Sequence, residues 1–135
     1  MSVERVLREN GAIAGFFPEM PLVSIGLRAA AVLRVAASAR RDRDGIVAAQ
    51  QRAARLTTRM ARRDGTTMLA LEQAARVTAR TELARFEDDD AAAAWSVAVC
   101  AWDAIAVPHE AAYARCAVRR RCWRRAARVP TQPRC

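Results

Sequence analysis

The stretch that most constrains the fold is the alanine-rich segment of residues 91–115, which carries two of the three tryptophans and the only tyrosine. Trp95, Ala98, Trp102 and Ile105 recur at spacings of three and four, which places them on one face of a helix. Pro108 ends this pattern, because proline disfavours helical geometry at the preceding residue and suits the first turn of a new helix. The segment therefore predicts a hairpin of two helices.

The composition favours closely packed helices. Apolar residues make up 53% of the 135-residue chain, but aromatic residues only 5%, and alanine supplies the largest share of the apolar content. The length fits one domain. The chain has no lysine, which excludes a P-loop lysine, a pyridoxal Schiff base and a lysine general base.

Three further helices are predicted before the hairpin, over residues 22–40, 45–63 and 67–86, with Asp44 as the N-cap of the second. The breaks between them are short, so consecutive helices should be antiparallel neighbours. We therefore expect an all-α fold of about five antiparallel helices stacked as tetratricopeptide-like helical hairpins.

Apolar periodicity assigns one buried face to each of these three helices. The predicted core stripes are Leu22, Ile25, Ala29, Val32 and Ala36, then Ile46, Ala49, Ala53, Leu56 and Met60, then Met68, Leu71, Ala75, Ala79, Leu83 and Phe86. Charged rows lie beside the second and third stripes. We interpret them as solvated faces: Arg52, Arg55, Arg59 and Arg62, and Glu72, Arg76 and Arg80.

The net charge of +9 resides almost entirely in the last part of the chain. Residues 1–114 are nearly neutral, whereas residues 115–135 contain eight arginines and no acid. Like charges four residues apart and two late prolines oppose a helix there. We predict a helical-repeat domain over residues 1–115 and a disordered arginine-rich tail over residues 116–135.

Part of the chain resembles a known family. Four stretches resemble the helical-repeat region of large ATP-dependent LuxR-type transcriptional regulators: residues 71–85, Ala94-Trp95, Ala101-Trp102-Asp103 and the run VPHEAAYAR at residues 107–115. The hairpin also has a partial tetratricopeptide spacing, in which Ala106 and His109 replace the usual glycine and tyrosine. The similarity covers about residues 20–115.

The resemblance implies a non-enzymatic interaction module similar to the signal-receiving or oligomerisation region of those regulators. Nothing in the chain resembles their ATPase or helix-turn-helix, so we expect a truncated fragment of such an architecture. After Arg115 the sequence departs from the family, and we hypothesise that a frameshift produced this change. A fragment of a superhelix exposes apolar ends, which predicts self-association or binding of a protein partner.

The residues expected to matter are structural, and no catalytic, cofactor-binding or metal-binding residue is predicted. The expected core consists of Leu71, Leu83, Phe86, Trp95, Trp102, Ile105, Pro108 and Tyr113. Trp95 and Trp102 could instead line a ligand groove, but core packing is the favoured interpretation. His109 is interpreted as a turn residue and the acidic run at 87–90 as a helix cap.

The cysteines and the N-terminus bear on the compartment. The four cysteines lack metal-site spacing and are expected to be reduced, with Cys100 and Cys116 packed. No signal peptide or membrane span is predicted, so a cytoplasmic location is expected.

The alternative function is a small basic nucleic-acid-binding protein that acts through its tail. Guanidinium and indole groups together bind phosphates and stack on bases. The residues concerned are Arg119, Arg120, Arg121, Trp123, Arg124 and Arg125. A third possibility is that the product is a decaying fragment without a role.

Overall fold

The computed structural model describes Arg5 and residues 19–63, 69–87 and 92–127, the side chains of 123–127 excepted. Five α-helices span these ranges, and no strand occurs in them, which confirms the all-α prediction. They are α1 (Glu19–Ala39), α2 (Arg43–Arg62), α3 (Ala70–Phe86), α4 (Ala92–Ala104) and α5 (Pro108–Ala127).

Helix α1 is the element around which the others pack. It lies along both α3 and α2, while α4 packs on α3 and α5 packs on α4. The predicted hairpin of α4 and α5 is confirmed, and Pro108 is the first residue of α5. By contrast, α2 and α3 follow each other in the chain but touch only weakly, so the expectation that they are close neighbours is wrong. The tetratricopeptide-like stacking stays a prediction.

The face of α1 that the sequence assigned to the core is largely exposed. Ile25 is 45% and Val32 53% exposed, and Ala29 is also exposed. The prediction failed because α1 is apolar around most of its circumference, so periodicity does not single out one face. The side chains that α1 buries in the main core are Met20, Val23, Leu27, Ala30 and Ala31.

By length and composition, α1 is able to cross a membrane. Its mean hydropathy is 1.6, it lies near the N-terminus, and 39% of the apolar stretch is buried within the protein. A core helix or a signal sequence passes the same test. The expected cytoplasmic location and the absence of a membrane partner stay predictions.

Helix α2 follows its sequence pattern closely. Ala49, Ala53, Leu56 and Met60 are buried as predicted, because its apolar residues form a single stripe between arginines. Its N-cap is Asp42 and not Asp44: the Asp42 carboxylate accepts a hydrogen bond of 2.9 Å from the Gly45 amide. The helix therefore begins two residues earlier than predicted.

Helix α3 departs from its predicted faces at two positions. Leu71 is 38% exposed, so its assignment to the core is wrong. Glu72, placed on a solvated row, is instead buried and accepts a 3.0 Å hydrogen bond from Arg63 Nη2 on the preceding segment. At the edge of the core, the ion pair of Glu72 with Arg63 is therefore buried where the sequence pattern placed Leu71. Met68 lies outside the described residues.

The predicted boundary at residue 115 falls inside α5. The helix continues to Ala127, so the expectation of disorder is wrong for residues 116–127, whereas residues 128–135 lie outside the described part. Ala111, Ala114 and Ala117 recur every three residues and are buried. Repulsion between arginine pairs destabilises the helix by about 0.2–0.5 kcal/mol each. Docking of the alanine stripe stabilises the helix and outweighs this repulsion.

Two helices end in the same left-handed motif without a glycine. The Val107 amide donates to the Trp102 carbonyl and the Ala106 amide to the Asp103 carbonyl, both at 3.1 Å, which is the Schellman pattern. Ala106 has a φ of 55° and Arg41, at the end of α1, a φ of 57°. Left-handed geometry at such a position favours glycine.

Replacing Ala106 with glycine should therefore raise the free energy of unfolding by about 0.5–1 kcal/mol, because it removes the Cβ clash of the left-handed conformation. Urea denaturation followed by circular dichroism measures the change. Ala112→Gly, at an exposed position inside α5, is the matched control and should destabilise by a similar amount. Equal destabilisation by both substitutions would show that the strain at Ala106 is negligible.

Candidate ligand cleft

A buried carboxylate joins three helices at the centre of the protein. The Glu82 side chain on α3 is fully buried and accepts hydrogen bonds from the Tyr113 hydroxyl at 2.7 Å, Arg28 Nε at 3.1 Å and Arg85 Nη1 at 3.4 Å. A buried carboxylate is tolerated only when cations and donors surround it. This cluster fixes the positions of α1, α3 and α5 relative to one another.

Arg28 extends the cluster to a second carboxylate. Its Nη2 donates to Glu110 Oε2 at 3.3 Å, and its guanidinium lies 3.5 Å from the centroid of the Tyr113 ring. One arginine of α1 therefore contacts two residues of α5 and one of α3. Tyr113 is sandwiched by this network and by Trp95, whose ring meets it edge-on at 5.8 Å.

The cluster changes the ionisation of Tyr113. Burial raises its pKa to about 12, and the hydrogen bond to Glu82 and the charge of that carboxylate act in the same direction, against the opposing charges of Arg28 and Arg85. Because the folded chain holds this proton more tightly than the unfolded one, the stabilisation is complete below pH about 10 and is lost as the pH rises toward 12.

Tyr113 is the only tyrosine in the chain, so an ultraviolet absorbance titration reports on it alone. We expect a midpoint near pH 12 for the folded protein and near 10 in denaturant. Between these two pH values the wild-type chain should lose stability as Tyr113 ionises. Tyr113→Phe should lack this contribution, because phenylalanine does not ionise. A folded-state midpoint near 10 would contradict the burial and hydrogen bonding described here.

The two tryptophans of the hairpin belong to the core, as predicted. Trp95 is fully buried and Trp102 is 3% exposed. Trp102 Nε1 donates a 2.7 Å hydrogen bond to the Thr78 hydroxyl, which satisfies its only polar group. Trp95 is also among the residues around a cleft, whereas the alternative that the two tryptophans line a ligand groove stays a prediction.

That cleft opens between α1 and α5 and has a volume of about 520 Å³. The ends of α3 and α4 supply Phe86 and Trp95. Val32 and Val35 on α1 are 53% and 66% exposed, so much of the apolar surface in the cleft faces solvent. The apolar lining, termed the floor below, consists of Ala31, Val32, Val35, Phe86, Trp95 and Ala117.

Four arginines surround this floor. Arg34 comes from α1, Arg85 from α3, and Arg120 and Arg121 from α5, and no acidic side chain is among the described lining residues. The Arg34 guanidinium lies 5.0 Å from the centroid of Phe86, and that of Arg120 lies 6.0 Å from the centroid of Tyr113. A guanidinium within about 6 Å of a ring centroid is attracted by the electron-rich face of the ring. The cleft therefore combines apolar and cationic surface.

The residues predicted to form the core differ in how deeply they are buried. Phe86, Trp95 and Trp102 are buried, whereas Leu83, Ile105 and Tyr113 are partly buried and pack against the core clusters. Pro108 is exposed and acts as the first residue of α5 instead of a core residue. Leu71, as noted, is exposed.

Among the arginines proposed for nucleic-acid binding, the three whose side chains are described differ in their surroundings. Arg119 and Arg120 are exposed and Arg121 is partly buried, and only the last two line the cleft. The side chains of Trp123, Arg124 and Arg125 lie outside the described residues. The tail arginines that are described therefore divide between the cleft and the open surface.

The remaining candidates show no catalytic arrangement in the part of the chain that is described. His109 is 78% exposed, with its Nε2 3.7 Å from Glu110 Oε1. Cys100, Cys116 and Cys122 are free and exposed, so the expected packing of Cys100 and Cys116 is wrong. Residues 88–90 of the acidic run lie outside the described ranges, and within those ranges no group of three metal-ligating side chains occurs.

The residues that sequence reasoning missed are Glu82 and Arg28, the centre of the buried network. Glu82 shares a helix face with Thr78 and Ala75, a signal that an acid points inward, but its partners lie 54 and 31 positions away. Comparison of the chain with protein-family models, curated proteins and solved structures gives no match.

Proposed function

We propose that the chain is a non-enzymatic helical interaction module that receives a ligand in the cleft between α1 and α5. The observation that carries the proposal is the apolar floor of a 520 Å³ cleft, which includes the half-exposed Val32 and Val35. Small-molecule sites are concave, mainly apolar and of this size. The lining combines these apolar side chains with Ser38 and four arginines, a composition that suits binding of a ligand.

This function is similar to that of the signal-receiving region of large ATP-dependent LuxR-type transcriptional regulators, which residues 71–115 resemble. The left-handed Ala106 supports the similarity, because it occupies the position at which the family turn has a glycine. In that setting, occupancy of the cleft would be the signal, and the contacts of α1 with α3 and α5 would respond to it.

The test uses a neutral environment-sensitive dye, Nile red, which reports apolar surface without reading charge. Wild-type protein should enhance its fluorescence, and Val32→Gln/Val35→Gln should reduce the enhancement several-fold. The matched control is Val47→Gln/Val97→Gln, since these valines are 48% and 57% exposed and lie outside the cleft. No enhancement, or equal loss in both double variants, would overturn the proposal.

Self-association is a further prediction of the proposal that the chain is an interaction module. Besides the cleft valines, α1 exposes Ile25 (45%) and Leu33 (44%) on its surface. An apparent mass that rises with protein concentration over the micromolar range in sizing chromatography would support it. Elution as a strict monomer over that range would count against it.

Nucleic-acid binding is the alternative function, and its test must leave the packing of α5 intact. Deleting residues 116–135 would remove the buried Ala117, so substitutions are preferable. Arg119→Gln/Arg120→Gln/Arg121→Gln should reduce the logarithmic salt dependence of DNA binding by about two to three if these residues contact phosphates. Arg40→Gln/Arg43→Gln/Arg62→Gln removes the same charge from other exposed positions. An equal effect of both triples would exclude a tail-specific site.

A further inference from the structure

An apolar stripe on α1 has the spacing of a buried helix face but lies at the surface of the single chain. Ile25 and Val32 are 45% and 53% exposed, and Ala29 is exposed as well. The stripe carries no charged residue, so a partner that covers it desolvates no charge on it. Its members recur every three or four residues, the heptad spacing by which two helices pack together, and are Leu22, Ile25, Ala29, Val32, Ala36 and Ala39.

Larger and smaller side chains are arranged along the α1 stripe so that it is complementary to itself. A two-fold axis midway along it, at the level of Ala30 and Ala31, pairs every larger side chain with an alanine of a second, antiparallel copy. The pairs are Leu22 with Ala39, Ile25 with Ala36, and Val32 with Ala29. Facing positions of unequal size let two helices interdigitate at a short interaxial distance. Two-fold symmetric interfaces require this self-complementarity, because both copies present the same patch.

We infer that the α1 stripe is the contact surface between two copies of this chain, which pair their α1 helices antiparallel about this axis. The inference goes beyond the ligand cleft and gives the self-association predicted above a defined surface. Charge favours the antiparallel direction. Glu19 begins α1 and Arg40 follows its last residue, so an antiparallel pair brings unlike charges together and a parallel pair brings like charges together. Glu19 also accepts from Arg59 within the chain, so this contact sets direction more than affinity.

The area of the α1 stripe predicts weak pairing. Helix α1 has 21 residues and is therefore about 32 Å long, and a face about 10 Å wide gives roughly 300 Å² of contact from each copy. Stable interfaces bury about 800 Å² from each partner, so the α1 pair belongs with transient interfaces. We therefore expect a monomer at about 1 μM and a substantial fraction of dimer at about 500 μM.

Exchanging the sizes of Ile25 and Ala36 tests the two-fold axis, and neither residue lines the cleft. In sedimentation velocity, the weight-average mass of the full chain should rise toward that of a dimer between about 5 and 500 μM. Ile25→Ala makes alanines face each other and Ala36→Ile makes isoleucines face each other, so each should weaken pairing about tenfold or more. Ile25→Ala/Ala36→Ile again places a large residue opposite a small one and should restore the dissociation constant to within about threefold of the wild type.

The matched control makes a similar exchange on α4. Val97→Ala/Ala93→Ile alters exposed positions outside the α1 stripe and should change the dissociation constant less than about twofold. Ile25→Gln is an independent variant at a half-exposed position, and it should weaken pairing about tenfold because it places a polar group in the apolar contact. Far-ultraviolet circular dichroism verifies that each variant is folded.

Three results would overturn the inference: a monomer over the whole concentration range, equal weakening by the stripe and control variants, or a double exchange that pairs no more tightly than the single substitutions. A monomer that binds neutral phospholipid vesicles would overturn it in favour of a lipid surface. The proposed function is read separately, by Nile red at about 1 μM protein, where the chain is expected to be monomeric. Failure of pairing with an intact dye signal would therefore leave the cleft proposal standing.

Discussion

Trp95→Ala should lower the free energy of unfolding by about 4 kcal/mol, as expected for a large aromatic residue removed from a core. Trp95 is fully buried in the cluster that joins α4 to α5, and its ring meets Tyr113 edge-on. Alanine would leave a cavity between α4 and α5 and open the floor of the cleft. Urea denaturation monitored by far-ultraviolet circular dichroism measures the loss without relying on tryptophan fluorescence.

Val97→Ala is the control for this experiment, since Val97 lies on the same helix but is 57% exposed. Its substitution should change the free energy of unfolding by less than about 0.5 kcal/mol. Trp95→Phe should fall between the two because it keeps most of the apolar contact. A loss below about 1 kcal/mol for Trp95→Ala would mean that the cluster that joins α4 to α5 contributes little to stability.

Glu82→Gln should cost about 3 kcal/mol, the lower end for a buried ion pair that loses one partner. The substitution keeps the shape of the side chain but removes its charge, which leaves Arg28 and Arg85 facing a neutral amide. Both arginines are about one-quarter exposed, so water partly compensates them and the upper end of the range is not expected. The melting temperature should fall by roughly 10 °C.

Asp103→Asn makes the same chemical change in a different environment. Its partner is Arg115, and the two side chains are 47% and 53% exposed. An exposed pair of this kind is worth at most about 1 kcal/mol, so the control should lose much less stability. If both substitutions cost the same, the Glu82 network does not hold α1, α3 and α5 together.

The buried face of an amphipathic helix was predictable from the sequence, whereas that of a helix apolar around most of its circumference was not. In α2, arginines confine the apolar residues to one stripe, and Ala49, Ala53 and Leu56 are buried as expected. In α1, Ile25 and Leu27 are equally apolar, so only the positions of α2 and α3 decide which is buried. The periodicity of apolar residues identifies the buried face of a helix only where the opposite face is polar, and the faces of α1 differ little in polarity.

The central part of the site could not be predicted because its energetics are non-local. An acid within a helix normally indicates a solvated face, and Glu82 is buried only because Arg28 and Tyr113 arrive from other helices. The tail was mispredicted for a similar reason. Repulsion between arginines is a local effect, while docking of Ala114 and Ala117 on α4 depends on the tertiary structure.

The long chain separation of the contacts made by Arg28 has a consequence for the order of events during synthesis. Glu82 and Glu110 follow it by 54 and 82 residues, so α1 leaves the ribosome well before its ion-pair partners exist. At about 5–20 residues per second, the second partner is made roughly 4–16 s later. Until Glu110 has been made, Arg28 lacks one of the two carboxylates that it contacts in the folded chain, so the full ion-pair network of α1 forms only after most of the chain has been synthesised.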